Sequence, residues 1–91
     1  VSAVWGTHTH VPTADNRVLP KGTGYVTDLG MTGPRDSVLG IRPELSIARF
    51  RGDLTERYRW AEGPTKMEGV LFTLDAATGK CLKAERVDES D

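Results

Sequence analysis

Ninety-one residues, 37% hydrophobic and 27% charged, set the scale of one small domain and exclude a disordered or collagen-like chain. Twelve basic residues against thirteen acidic ones leave a net charge of −1, and no basic block supports binding along a nucleic-acid backbone. The single cysteine, Cys81, excludes an internal disulfide and fits a reducing, cytoplasmic setting; no apolar run is long enough for a membrane-spanning helix.

The chain starts without Met inside the apolar run Val1 to Trp5, which reads as a short strand and as the start of a segment cut from a longer protein. Gly6 to Lys21 carries Thr, His, Asn, Asp and Pro with no periodicity, so a loop is expected. Thr23 to Asp28, rich in β-branched and aromatic residues, predicts a second strand. Leu29 to Arg42, punctuated by Gly30, Gly33, Pro34 and Gly40, reads as irregular. Loops this long are uncommon unless they serve a site or a partner. Pro43 and Glu44 suit the first turn of a short helix that Gly52 would end. Ile47, Phe50 and Leu54 recur at helical spacing and are expected to face a core.

Arg57 to Trp60 alternates and predicts a short strand, followed by a turn at Gly63-Pro64. Met67 to Asp75 reads as a strand with Val70, Phe72 and Leu74 on one face, and Ala76 to Gly79 as a tight loop. Lys80 to Val87 is its expected antiparallel partner, with Leu82, Ala84 and Arg86 on one side and Cys81, Lys83, Glu85 and Val87 on the other. Asp88 to Asp91 reads as a frayed polar tail. Trp5 and Trp60 lie in predicted strands and are expected in the core. The sum is an α/β chain of about five strands and one short helix.

The chain has two histidines, His8 and His10, in Gly6-Thr7-His8-Thr9-His10. In an extended segment residues i and i+2 point to the same side, so two imidazoles can converge on one metal or on two neighbouring metals. Gly6 lets the backbone turn, and the small Thr7 and Thr9 do not crowd an ion. Two ligands do not complete a site, and two solvent-exposed histidines are the competing reading.

The longer stretch Val4 to Asp15 resembles the metal-ligand segment of the YmdB-like metallophosphoesterases, a branch of the calcineurin-like superfamily. The resemblance continues through Leu19-Pro20, Gly22-Thr23, Tyr25 to Pro34 and Ser37 to Gly40, and more weakly to the last hairpin. It implies the C-terminal part of a four-layer α/β sandwich, with residues 1–91 one segment of a single metallophosphoesterase domain. It also implies a centre of two divalent ions, iron or manganese with zinc or magnesium as alternatives, His8 on one ion and His10 on the other. The implied reaction is hydrolysis of 2′,3′-cyclic nucleotides or another phosphodiester. Imidazole suits these metals, with carboxylates beside it.

Each ligating ring is expected to donate its second N–H, and Asp15 or Asp28 could accept it, although turn capping is the commoner role for an Asp in such a loop and competes at both positions. Gly30-Met31-Thr32-Gly33 reads either as a loop with N–H groups facing substrate or a partner subunit, or as a turn imposed by glycine. An exposed Met31 with Val38 and Leu39 would offer an apolar contact for a homo-oligomer.

The family's other ligands, an Asp, a bridging acidic residue, an Asn-His pair and a further His, have no counterpart in these residues. They are expected on a preceding N-terminal segment of the same enzyme, and the 91 residues alone are expected to be inactive. Two other readings stand beside this one. The first is a scaffold of the same fold that has lost catalysis. The second is a small mononuclear metal protein that uses Asp15 or Asp28.

Overall fold

The computed structural model describes residues 1–91 and arranges them as six strands and one helix. Strands β1 (Ala3–Trp5), β2 (Arg17–Val18) and β3 (Gly24–Val26) form one sheet in the order β1-β3-β2. β1 runs parallel to β3 and β2 antiparallel to it. Strands β4 (Gly33–Pro34), β5 (Thr65–Leu74) and β6 (Cys81–Ser90) form a second, antiparallel sheet in chain order. Helix α1 (Pro43–Phe50) lies in the excursion between β4 and β5. No helix is long and apolar enough to cross a membrane.

The sheets meet at Gly24. A Cβ there would sit 2.6 Å from a ring carbon of Phe72 and 2.7 Å from the sulfur of Cys81, so only glycine admits this approach. Cys81 N–H donates to the Gly22 carbonyl at 2.7 Å and the Asn16 amide to that of Ala84 at 2.9 Å. The apolar residues that are truly buried are Val26, Leu45 and Cys81. That core is small for the chain, and the shape is stretched. The radius of gyration is 16.9 Å, whereas a rounded domain of this length has about 12 Å.

The β5–β6 hairpin departs from strict alternation. Phe72 pairs with Ala84 and Thr73 with Lys83, but Leu74 pairs with Cys81, so Leu82 is the extra residue of a bulge. The bulge turns Cys81 onto the Phe72 and Ala84 face, not onto the Lys83 and Glu85 face expected from period 2. The final residues are not a frayed tail. Asp88 to Ser90 pair with Glu68 to Lys66, and the Asp91 carboxylate accepts from the Thr65 hydroxyl at 2.7 Å.

The helix bounds agree with the sequence reading. Pro43 opens the helix, and Gly52 at φ +88° closes it, donating to the Arg49 carbonyl at 3.0 Å while Asp53 donates to that of Ala48 at 2.9 Å. Its faces do not. Leu45 and Ser46 are buried, whereas Ile47, Leu54 and Phe50, the last 88% exposed, face outward.

Trp5 and Trp60 are also outside the core, at 55% and 74% exposure. Trp5 tilts against Phe72 at 6.2 Å between ring centres, and Trp60 covers Gly40. The strand expected at Arg57 to Trp60 reduces to one bridge, Trp60 to Ile41. Its partner segment is curled by Leu39 at φ +52° and Gly40 at φ +87°, so it offers no straight edge to pair with. The short β2 and β4 arise instead from stretches that read as irregular.

Candidate metal centre

Gly6 ends β1 and starts the histidine loop. Its φ is not in the left-handed region; glycine is required there because a Cβ would collide with the Thr27 carbonyl oxygen. The Gly6 carbonyl accepts from Leu29 N–H at 3.0 Å, which ties the loop's origin to the end of β3.

Asp28 sits under the loop with 1% of its surface exposed. One carboxylate oxygen, Oδ2, accepts from Thr9 N–H at 2.6 Å, the Thr9 hydroxyl at 2.8 Å and His10 N–H at 3.3 Å. Oδ1 accepts from Gly30 N–H at 2.9 Å. Two successive loop amides thus converge on one buried oxygen, and His10 adopts φ +64°. A left-handed conformation at a residue other than glycine costs about 1 kcal/mol or more and persists only when its surroundings hold it. The loop is therefore bent at the histidines and not extended, so the i, i+2 argument from strand geometry does not apply.

Asp28 stays ionised. Its pKa is lowered, first by the Gly30 N–H and then by the Thr9 hydroxyl, Thr9 N–H and His10 N–H, with burial opposing. Thr13 closes the far side of the loop, its hydroxyl accepting from Asp28 N–H at 3.0 Å and donating to Asp15 at 2.6 Å. Asp15 also accepts from Thr27 N–H at 3.1 Å and from the Thr27 hydroxyl.

The Thr13 and Thr27 bonds, led by the Thr13 hydroxyl, hold the Asp15 carboxyl at about 2 against an ordinary 3.8. A depressed folded-state pKa stabilises in full above the unfolded value and loses that contribution as pH falls through the folded one. Asp15→Asn in the full-length protein should therefore flatten the acid-unfolding curve between about 3.8 and about 2. An unchanged curve by circular dichroism would refute the contribution.

Neither carboxylate hydrogen-bonds to an imidazole; both hold the backbone and hydroxyls of the loop. His8 and His10 are exposed, and neither ring makes a hydrogen bond within the chain. The donor set fits a metal in part. Free imidazoles at a fixed bend are suitable ligands, but no three His, Cys, Asp or Glu side chains converge here.

In the glycine loop, Gly30 at φ +92° packs against Glu68 and Pro12, and Met31 N–H donates to Glu68 at 3.0 Å. The Gly30 and Met31 amides are thus already paired to carboxylates; Thr32 is exposed and Gly33 lies in β4. Met31 is half-buried, its tip reaching Gly33 and Gly40, and not exposed as expected. Thr9, Thr13 and Glu68 carry more of the loop's order than the sequence reading gave them. The available signal was the threonine spacing, since such hydroxyls commonly bond nearby backbone and carboxylate groups.

Over 86 residues the chain is 56% identical to the 2′,3′-cyclic-nucleotide 2′-phosphodiesterase of Bacillus subtilis (strain 168), an alignment covering 94% of this chain and 33% of that protein. It superposes on the crystal structure of a novel phosphatase from Mycoplasma pneumoniae with a TM-score of 0.91 at 42% identity, over 99% of this chain and 32% of that one. A hypothetical protein from Thermus thermophilus gives a TM-score of 0.87 at 38% identity, over 99% of this chain and 35% of that one. The chain spans about a third of the length of the curated relatives it matches. The family model described as YmdB-like protein matches residues 1–87, and the chain belongs to that family.

Proposed function

We propose that this chain is the C-terminal part of a metal-dependent phosphodiesterase acting on 2′,3′-cyclic nucleotides. In this reading the whole protein is a four-layer α/β sandwich with a dinuclear iron or manganese centre, zinc or magnesium being alternatives. The observation that carries it is the pair of unpartnered imidazoles, His8 and His10, on a loop locked from below by the buried Asp28. The relative from Bacillus subtilis supports the substrate class.

When bound, two divalent ions supply an activated water nucleophile at neutral pH and offset charge on the phosphate. His8 and His10 would each present one neutral ring nitrogen as a ligand. Asp28 and Asp15 keep the loop from rearranging, so the rings need not be ordered when the centre assembles. The missing ligands would come from the preceding segment of the same protein. The single free thiol supports a cytoplasmic setting.

The test is metal stoichiometry together with turnover. The full-length protein should hold about two ions and hydrolyse 2′,3′-cyclic AMP, with activity lost to a chelator and restored by manganese or iron. His8→Ala and His10→Ala should each lower metal content, and the 91 residues alone should be inactive. Full-length protein with no metal and no hydrolysis would replace this reading with a non-catalytic scaffold.

A further inference from the structure

We infer that Glu68, with its ion-pair partner Lys66, is a positioning residue for the metal ligands, tying the second sheet to the histidine loop through the Gly30–Met31 peptide and Asp28. Every contact in that relay lies inside the chain, among residues 9–68, so it does not depend on what lies over the outer surface.

Successive side chains of β5 alternate between two faces. Phe72, Val70, Glu68 and Lys66 share one of them, all half-buried, and Phe72 is the residue that meets Gly24 of the first sheet. The apolar half of that face thus packs on β3, and the charged half reaches the loop after it. The Glu68 side chain is only 9% exposed and that of Lys66 24%, with Lys66 Nζ 3.1 Å from Glu68 Oε1. Withdrawing a carboxylate and an ammonium this far from water is unfavourable, and an apolar pair would avoid the penalty. The pair therefore calls for a reason beyond packing.

Met31 supplies it. Glu68 Oε1 also accepts from Met31 N–H at 3.0 Å, while the adjacent Gly30 N–H donates to Asp28 Oδ1 at 2.9 Å. Two consecutive amides are held by two carboxylates, one local and one from the second sheet. A Cβ at Gly30 would stand 2.8 Å from both Cβ and Oε1 of Glu68, and 3.1 Å from Cδ of Pro12, two residues beyond His10. Glu68 and Pro12 close on the same point, which leaves the peptide little room. Asp28 is oriented by the Gly30 amide on Oδ1, and its Oδ2 holds the Thr9 and His10 amides. A shift of Glu68 is passed along this line of bonds to the backbone that carries the His10 ring.

The role of Glu68 rests on the reading of His8 and His10 as metal ligands, and the test separates the two. In metal-free full-length protein, Glu68→Ala should speed amide hydrogen exchange at Gly30, Thr9 and His10 by about tenfold and leave the β5–β6 ladder as in wild type. A merely structural Glu68 would loosen Met31 and the ladder without touching Thr9 or His10. By calorimetry the metal dissociation constant should rise about tenfold, the lower end of the range for groups that orient metal ligands, because Glu68 acts through Asp28. Glu68→Gln keeps an oxygen for Met31 N–H and should stay within about twofold of wild type. In an Asp28→Ala background, Glu68→Ala should change metal affinity by less than about twofold, since members of one relay are not additive. Unchanged exchange at Thr9 and His10, or a full effect in the Asp28→Ala background, would overturn the positioning role. Full-length protein that binds no metal would overturn the metal reading, and the exchange result would still decide the relay.

Discussion

Asp28→Ala in the full-length protein is expected to weaken metal binding and lower kcat/KM by about 10- to 100-fold, the range seen when groups that orient metal ligands are removed. The change leaves four donors without their acceptor: two loop amides, the Thr9 hydroxyl and Gly30 N–H. His10 then has no reason to hold φ +64° and relaxes toward ordinary backbone, carrying its ring away. Asp28→Asn separates geometry from charge. Its amide oxygen can take the place of Oδ2, but its NH₂ then faces Gly30 N–H, donor against donor. It should fall between wild type and Asp28→Ala. Two measurements check this: the metal dissociation constant by calorimetry, and hydrogen exchange at Thr9, His10 and Gly30. Unchanged affinity with Asp28→Ala would sink the idea that Asp28 positions the histidines.

Gly6→Ala is the second large expected effect, at about 3 kcal/mol of destabilisation, the upper end for an overpacked site. The added methyl meets a backbone carbonyl, Thr27, which is held in place by β3 and by the Thr27–Asp15 bonds and cannot swing aside. Relief requires β1 to move off β3, which breaks the Leu29 to Gly6 bond at the root of the histidine loop. Gly69→Ala is the control, because nothing lies within 4 Å of the position its Cβ would take. It should change stability by no more than about 0.5 kcal/mol. Urea unfolding of both variants decides; equal midpoints would remove the steric account of Gly6.

Much of the fold was legible in the residues, for reasons that can be named. Pro43 and Gly52 marked the helix because each has a conformation that suits one helix end. The His8–His10 loop was legible as a candidate because histidine is scarce here. Periodicity placed Ile47 and Phe50 on the helix but carried Leu54 past its end, and it could not report their exposure, since burial depends on what is opposite. The same limit applies to Trp5 and Trp60. Asp28's role was out of reach because it is written in bonds to amides 18 and 19 residues away, and every residue has such an amide. Leu82 hid the bulge, because one extra residue shifts the face of everything beyond it without altering composition.

The pairing of Pro34 with Thr65 has one more consequence. Two backbone positions joined across a ladder can be bridged by a turn of a few residues, and here thirty residues fill that gap. Topologically residues 35–64 are therefore a hairpin loop. Their length and sequence can vary while the entry and exit points stay the same, without retuning the bend that holds His8 and His10.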